Sequence, residues 1–297
     1  MNRPHRSIAL AAAPLALVLA SAASSQAQQI AFAIGSDGST LIRFPTSDPS
    51  DVTVVGAFSG DATSLDAIDF RTATGQLFGY SDADNAFFSV DPGTAQLTMQ
   101  SVDPPSVETD TALLGMDFNP LIDRARVITT TNQNIVFNPN DGMAATFSPV
   151  YYDIGDGNEG ANPNIIDIAY TQNFLGAATT QQYGIDSDLD VLVTVANNDG
   201  VLETVGGLGV DTGNYAGFDI FTDVGSDIAY AILTPDATGG PGQPAFYSID
   251  LSTGAAVYLG DIGGSSQELY SLAVIPAPAT AALLGVAGLG AAPRRQR

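Results

Sequence analysis

Apolar residues in this chain come in short runs rich in Val, Ile, Phe and Tyr, separated by clusters of Asp, Asn, Gly, Ser, Thr and Pro. No long apolar stripe of period 3.6 breaks the pattern, so the reading is β-strand and turn throughout. One segment recurs: LDAIDF (65–70), LLGMDF (113–118), IIDIAY (165–170) and YAGFDI (215–220), with a weaker fifth copy, YSLAVI (270–275). Aligning Asp69, Asp117, Ala169, Asp219 and Ala273 gives spacings of 48, 52, 50 and 54 residues.

Three more strand-like runs follow each of the first four copies, for example QLFGYS, AFFSVD and AQLTMQS after the first. A turn separates the last two strands of each set: Asp91-Pro92-Gly93, Asn140-Asp141-Gly142, Asn198-Asp199-Gly200 and Ser252-Thr253-Gly254. Glycine there supplies the positive φ that tight hairpins need. A four-stranded unit of about 50 residues repeated along a chain is the signature of a β-propeller blade. The fifth copy has one strand of its own, and IAFAIGS, TLIRFP and VTVVGAF near the N-terminus supply the other three, with Asp48-Pro49-Ser50-Asp51 as the turn. The expectation is an all-β, propeller-like ring of about five four-stranded blades, the last closed by strands from both ends of the domain. A two-sheet sandwich or an irregular β-solenoid is the alternative.

Both ends of the chain carry processing features. Arg3, His5 and Arg6 precede the uncharged run Ile8–Ala20, and Ser25-Gln26-Ala27 offers small residues at a cleavage point. That is a secretory signal peptide over residues 1–27, leaving a propeller domain over 28–274. At the other end, the 18 uncharged residues Ile275–Ala292 are interrupted by Pro276, Pro278, Gly285 and Gly288 and followed by Arg294, Arg295 and Arg297. This transmembrane segment is marginal against the roughly 20 residues a helix needs to cross a bilayer. Its arginines are expected to stay cytoplasmic.

Composition removes most chemistry. Between residues 28 and 273 four arginines face all 32 acidic residues, and the chain has no lysine or cysteine and one histidine, His5, in the signal peptide. Such a surface repels nucleic acid. A mature chain without His, Cys or Lys cannot build a Ser-His-Asp triad, a Cys-His pair, a Schiff base or an ordinary zinc site. No catalytic residue and no organic cofactor are expected.

Carboxylates remain. Asp153, Asp156, Asn158 and Glu159 bring hard oxygen ligands to the loop YYDIGDGNEGANPN (151–164), a chemistry that suits Ca²⁺. The spacing is not that of the twelve-residue EF-hand loop, and a plain structural loop is the competing reading. SDADN (81–85) and DSDLD (186–190) are weaker versions of the same idea. The recurring Asp69, Asp117 and Asp219 are expected to cap turns, or alternatively to form a ring of carboxylates near the channel mouth. Arg124 and Arg126 share one strand face and are expected to pair with Asp on neighbouring blades.

The elements LIRFPTSDPSDVTVVGAF, IDFRTATGQLFGY, MDFNPLIDRARVITTTNQNIVFNP, EGANPNIIDIAYTQN and LGVDTGNYAGFDI resemble exported bacterial proteins grouped as domain of unknown function 4394, over about residues 32 to 274. That resemblance implies a repeat-built β fold and no known activity. The C-terminal proline motif, short span and arginines resemble the PEP-CTERM sorting signal, with Pro276-Ala277-Pro278 in place of Pro-Glu-Pro. This second likeness implies export machinery and an exosortase-like processing enzyme as partners, surface polysaccharide as a third, and a cell-surface or extracellular location. The functional expectation is a binding or structural protein of the surface or matrix. The alternative is a carboxylate-dependent enzyme acting on extracellular polysaccharide.

Overall fold

The computed structural model describes residues 29–35, 37–101, 113–223, 225–237, 240–263 and 268–275. The expected signal peptide, residues 1–27, and the segment from Pro276 onward lie outside these residues. Five antiparallel sheets form the ring. Blade 1 consists of Ala67–Arg71, Gln76–Ser81, Ala86–Val90 and Gln96–Met99, from channel to rim. Blade 2 runs Leu114–Asn119, Arg124–Thr129, Asn134–Asn138 and Met143–Thr146. Blade 3 runs Ile165–Tyr170, Gln182–Asp186, Val191–Ala196 and Val201–Gly207. Blade 4 runs Gly217–Asp223, Ser226–Leu233, Ala245–Ile249 and Ala256–Asp261.

Blade 5 is shared, as the repeat predicts. Its innermost strand, Leu269–Val274, pairs with Ile30–Gly35, which continues to Thr40–Pro45 and Thr53–Ala57. The propeller is therefore closed by strands from opposite ends of the chain. Four further strands were not legible in the repeat, two of them, Asp236–Ala237 and Gly240–Pro241, forming a small hairpin of their own. Ser59–Gly60 and Tyr151–Tyr152 leave one blade and pair in parallel with the rim strand of the next, at Gln96–Leu97 and Val201–Leu202.

Both faces of each sheet are covered, and this is why the inner strands read as near-continuous apolar runs. Five hydrophobic clusters fill the five seams. Between blades 1 and 2, Phe87 stacks on Phe137 at 4.0 Å and Phe78 meets Phe118 edge-on at 5.3 Å. Between blades 4 and 5, Phe44 meets Phe246 edge-on at 5.2 Å. Phe32 and Phe70 serve the seam between blades 5 and 1, Ile185 and Phe218 that between 3 and 4, and Ile128 and Val193 that between 2 and 3. Aromatic pairs in such geometry add about 0.5–1.5 kcal/mol beyond the area they bury.

At the rim hairpins Gly142, Gly200 and Gly254 have the expected positive φ, of 74°, 71° and 81°. The first hairpin differs: its left-handed residue is Ala95, at φ 59°, and not Gly93. The four-residue turn there is held by Asp91, whose side chain accepts from Gly93 N–H.

The chain enters each blade from one side. Blade-to-blade connections lie on what we term the connection face, and the hairpins joining the innermost strand to the second lie on the opposite, hairpin face. In blade 5 that innermost hairpin is missing, and Ile275 N–H instead donates to Ile30 O at 3.1 Å. Both ends of the described chain therefore reach the hairpin face side by side.

Near the channel the strands come unusually close. A Cβ on Gly115 would lie 2.4 Å from Asp167 Cα, and one on Gly217 2.7 Å from the Ser271 carbonyl carbon. Gly115→Ala should force blades 2 and 3 apart. We expect a loss of about 1–3 kcal/mol, read as a Tm several degrees lower by calorimetry, whereas Gly157→Ala, with nothing within 4 Å, should leave Tm unchanged.

Candidate functional site

A side chain near the middle of each innermost strand reaches across to the backbone of the next blade. Phe118 N–H donates to Asp69 Oδ2 at 2.8 Å, Tyr170 N–H to Asp117 Oδ2 at 2.5 Å, and Phe218 N–H to Asp167 Oδ2 at 2.8 Å. Val274 N–H donates to Asp219 Oδ2 at 2.6 Å. Ser271 completes the circle, its Oγ accepting from Ile68 N–H at 2.9 Å and donating to Ile68 O at 3.3 Å. The recurring acids thus do not cap turns, and they do not open at the channel mouth. They are buried in its wall, 1–2% exposed.

The repeat alignment also needs one correction. In blades 3 and 5 the linking residue is not Ala169 or Ala273 but Asp167 or Ser271, two residues earlier. β-Bulges explain the slip: the pairing skips Ile166 in blade 3 and Ser271 in blade 5, where Ser271 takes a φ of 52°. Bulges re-aim side chains. The two close-approach glycines stand opposite these residues: Gly115 faces Asp167, and Gly217 faces Ser271.

Four buried carboxyl groups stand close enough around the channel to feel one another's charge. Burial pushes Asp69 up to about 7 and drives Asp117, Asp167 and Asp219 well above the usual carboxylate range. Mutual repulsion adds to this: Asp69 and Asp219 raise Asp117, and Asp69 raises Asp219. The backbone N–H groups work in the opposite direction, favouring charge. Asp117 Oδ1 and Asp219 Oδ1 have no hydrogen-bond partner as carboxylate oxygens among the described residues. A proton on Asp117 relieves the repulsion and lets it donate to Asp69, the bond that favours a neutral Asp117 and a charged Asp69.

The arginines act elsewhere. Arg71, at the end of the innermost strand of blade 1, forms an ion pair with Asp123 of blade 2 and also donates to Asn140. Arg126 is 2% exposed. It donates to Tyr170 Oη, Asn134, Asn197 O and Asn198, tying blade 2 to blade 3 through neutral oxygens. Arg124 donates to the carbonyls of Ile122 and Asp123. The expected pairing of Arg124 and Arg126 with carboxylates of neighbouring blades is not what these bonds show; Arg71 makes that pair.

The proposed calcium ligands hold their own loop. Asp156 accepts from Asn158 N–H, Thr204 N–H and Thr204 Oγ1, Glu159 accepts from Gly155 N–H, and Asp153 accepts from Ile154 N–H. Asn158 donates to Thr204 Oγ1. Asp156 and Asn158 converge on Thr204, while Asp153 and Glu159 turn to nearby backbone. Among the described residues, no three His, Cys, Asp or Glu side chains are grouped to hold a metal ion.

Sequence reasoning missed a cavity of about 490 Å³ on the connection face above blades 3 and 4. Its walls are Ser187, Asp188 and Asp190 from a hairpin of blade 3, residues 211–215 from the blade 3–4 connection, Thr234 of blade 4 and Glu268 at the entry to blade 5. Asn164 binds Asp188, Ser187 and Asn214 at 2.8–3.0 Å, and Thr212 N–H binds Asp190 at 2.8 Å, so the polar wall is fixed in place. Thr234 is 3% exposed, and its Oγ1 has no partner among the described residues. DSDLD (186–190) is the one sequence signal that pointed here.

The sequence profile of the DUF4394 family, a domain of unknown function, matches residues 40–273. The chain belongs to that family. No curated protein matches. Among solved structures, one in a nidogen/laminin complex is similar at 10% identity and TM-score 0.48, over 84% of this chain and 98% of that one. A structural-genomics protein of unknown function from Bacteroides thetaiotaomicron gives 10% identity and TM-score 0.49, over 81% and 64% of the two chains. Hydrazine synthase from Kuenenia stuttgartiensis gives 11% and 0.38, over 69% and 49%.

The ring dictates the pH response of this DUF4394 domain. An aspartate in the unfolded chain titrates near 4. The folded ring holds protons that the unfolded chain has released, so stability is greatest in mild acid and falls as pH rises from about 4 through 7. We expect Tm to be several degrees lower at pH 8 than at pH 5. Asp219→Asn, which keeps the acceptor for Val274 N–H without the charge, should raise Tm at pH 8 and flatten this dependence. Asp219→Ala strands that buried N–H and should forfeit the gain. Scanning calorimetry of the three proteins against pH checks each outcome.

Proposed function

We propose that this chain is an exported binding protein of the cell surface or extracellular matrix, whose ligand site is the cavity above blades 3 and 4. One observation carries the reading: a fixed, open, polar cavity lined by carboxylates, an amide, hydroxyls and Tyr215. These groups accept hydrogen bonds from hydroxyl and amino groups, and the tyrosine offers a face to a sugar ring. The ligand class is a hydroxyl-rich glycan, with amine-bearing sugars favoured by Asp188, Asp190, Asp211 and Glu268. The burial of Asp69, Asp117 and Asp219 supports binding over carboxylate-dependent hydrolysis, because acids 1–2% exposed and committed to backbone N–H groups have no reach to a polymer.

Export and processing belong to the same proposal. The signal peptide would deliver the domain across the membrane, and an exosortase-like enzyme would cut the tail near Pro276–Pro278. Mass spectrometry of protein from its native host should find a form beginning near Gln28 and lacking Arg294, Arg295 and Arg297. An intact tail in the membrane fraction would instead make the segment a permanent anchor.

Binding is tested by calorimetric titration with glucosamine oligomers, their N-acetylated counterparts and matrix polysaccharide from the host. Asp188→Asn with Asp211→Asn should weaken amine-bearing oligomers about tenfold or more, the worth of one charge-assisted hydrogen bond. Unchanged affinity, or no binding to any of the three, would remove the cavity from consideration.

A further inference from the structure

The hairpin face carries apolar side chains that the fold does not need. Leu121 and Ile122, 44% and 53% exposed, sit at the tip of the innermost hairpin of blade 2. Phe174 and Leu175, 38% and 69% exposed, occupy the neighbouring position on blade 3. The base beneath them is rigid. Asn173, next to Phe174, is 4% exposed; its backbone N–H binds Thr222 Oγ1 of blade 4 at 2.7 Å, and its side chain accepts from Thr72 of blade 1. Gln172 binds Asp227 of blade 4 through backbone and side chain at 2.9 and 3.0 Å. Leu121 N–H is likewise held, by Asn119 Oδ1 at 2.9 Å. Four large apolar groups are thus presented on a fixed platform, which marks an interaction surface better than scattered exposure does.

The occupant follows from what else reaches this face. Ile275, 39% exposed, arrives here at the end of the innermost strand of blade 5. The 17 residues that continue the chain, Pro276–Ala292, are uncharged and precede a pair of arginines two positions on. Charge selects among lipids. Near the channel this face has Arg71 and Arg124, but the rim hairpins on the same side carry Asp91, Asp141, Asp199 and Asp250. That acidic rim repels anionic headgroups.

We infer that, until the tail is cut, the hairpin face rests on a zwitterionic lipid surface, with Leu121, Ile122, Phe174 and Leu175 entering the headgroup region while the apolar segment after Ile275 holds the chain there. Shallow insertion of a few apolar side chains is how a domain lies on a bilayer without crossing it. Among the described residues no helix is long and apolar enough to cross a membrane. The contact therefore adds to whatever the segment after Ile275 provides, and it fixes an orientation.

The chain has no tryptophan, so a single introduced one reports its own surroundings. The full chain carrying Leu175→Trp or Ile122→Trp is reconstituted with phosphatidylcholine vesicles, beside a control with Val257→Trp on the rim strand of blade 4, where the native residue is 58% exposed. The first two should emit at shorter wavelength with lipid than without and lose intensity to brominated phosphatidylcholine; the third should keep the emission of a water-exposed indole. Equal emission from all three overturns the proposal. So does a shift that appears without lipid and grows with protein concentration, which would assign the face to a second copy of the chain.

Discussion

A backbone N–H that finds its partner on the next blade is the interaction on which this ring depends. Packing alone presses neighbouring sheets together, but it has no direction, and five sheets could slide along five greasy seams. The links from Asp69, Asp117, Asp167, Asp219 and Ser271 fix the height of each innermost strand against the next. Because each link also satisfies a buried amide, breaking one costs a desolvated donor as well as a bond. The same choice of residue creates the strain. Aspartate offers a strong acceptor, and four of them around one axis cannot all be charged without large cost.

Serine at the fifth position fits that economy. The closing contact joins blade 5 to blade 1, and a hydroxyl both donates and accepts there without adding a fifth charge. Elsewhere the molecule moves its few cations to the seams. Arg71 and Arg126 lie between blades 1 and 2 and blades 2 and 3, so two of the four described arginines of this acidic chain serve as ties between sheets.

Much of the architecture was legible in the sequence because period and turn chemistry act locally. The strands LDAIDF, LLGMDF, IIDIAY and YAGFDI became the innermost strands of four blades, and the shared fifth blade followed from counting. What escaped was geometry carried by bulges. A one-residue bulge in IIDIAY hands the link to Asp167, which no period-based alignment could see. A clue was present, since Gly115 and Gly217 each stand two residues before a linking Asp, where a close neighbour must pass. The cavity was not legible because Asp188, Asp211, Thr234 and Glu268 come from separate stretches of chain that only the ring brings together. The loop at 151–164 carries two readings for a different reason, as Asp, Asn and Gly serve a tight turn as well as they serve an ion.

The missing innermost hairpin of blade 5 has a mechanical consequence. A load applied at Ile275 enters the domain along the axis of its closing strand, and a ligand held above blades 3 and 4 would pull from the opposite face of the ring. Strands loaded lengthwise resist by shearing many hydrogen bonds at once, whereas strands peeled from a side give them up singly. The ring links, set across the innermost strands, would spread such a load from blade 5 to both neighbours. A fold closed by its own two ends thereby takes the load in shear along its closing strand.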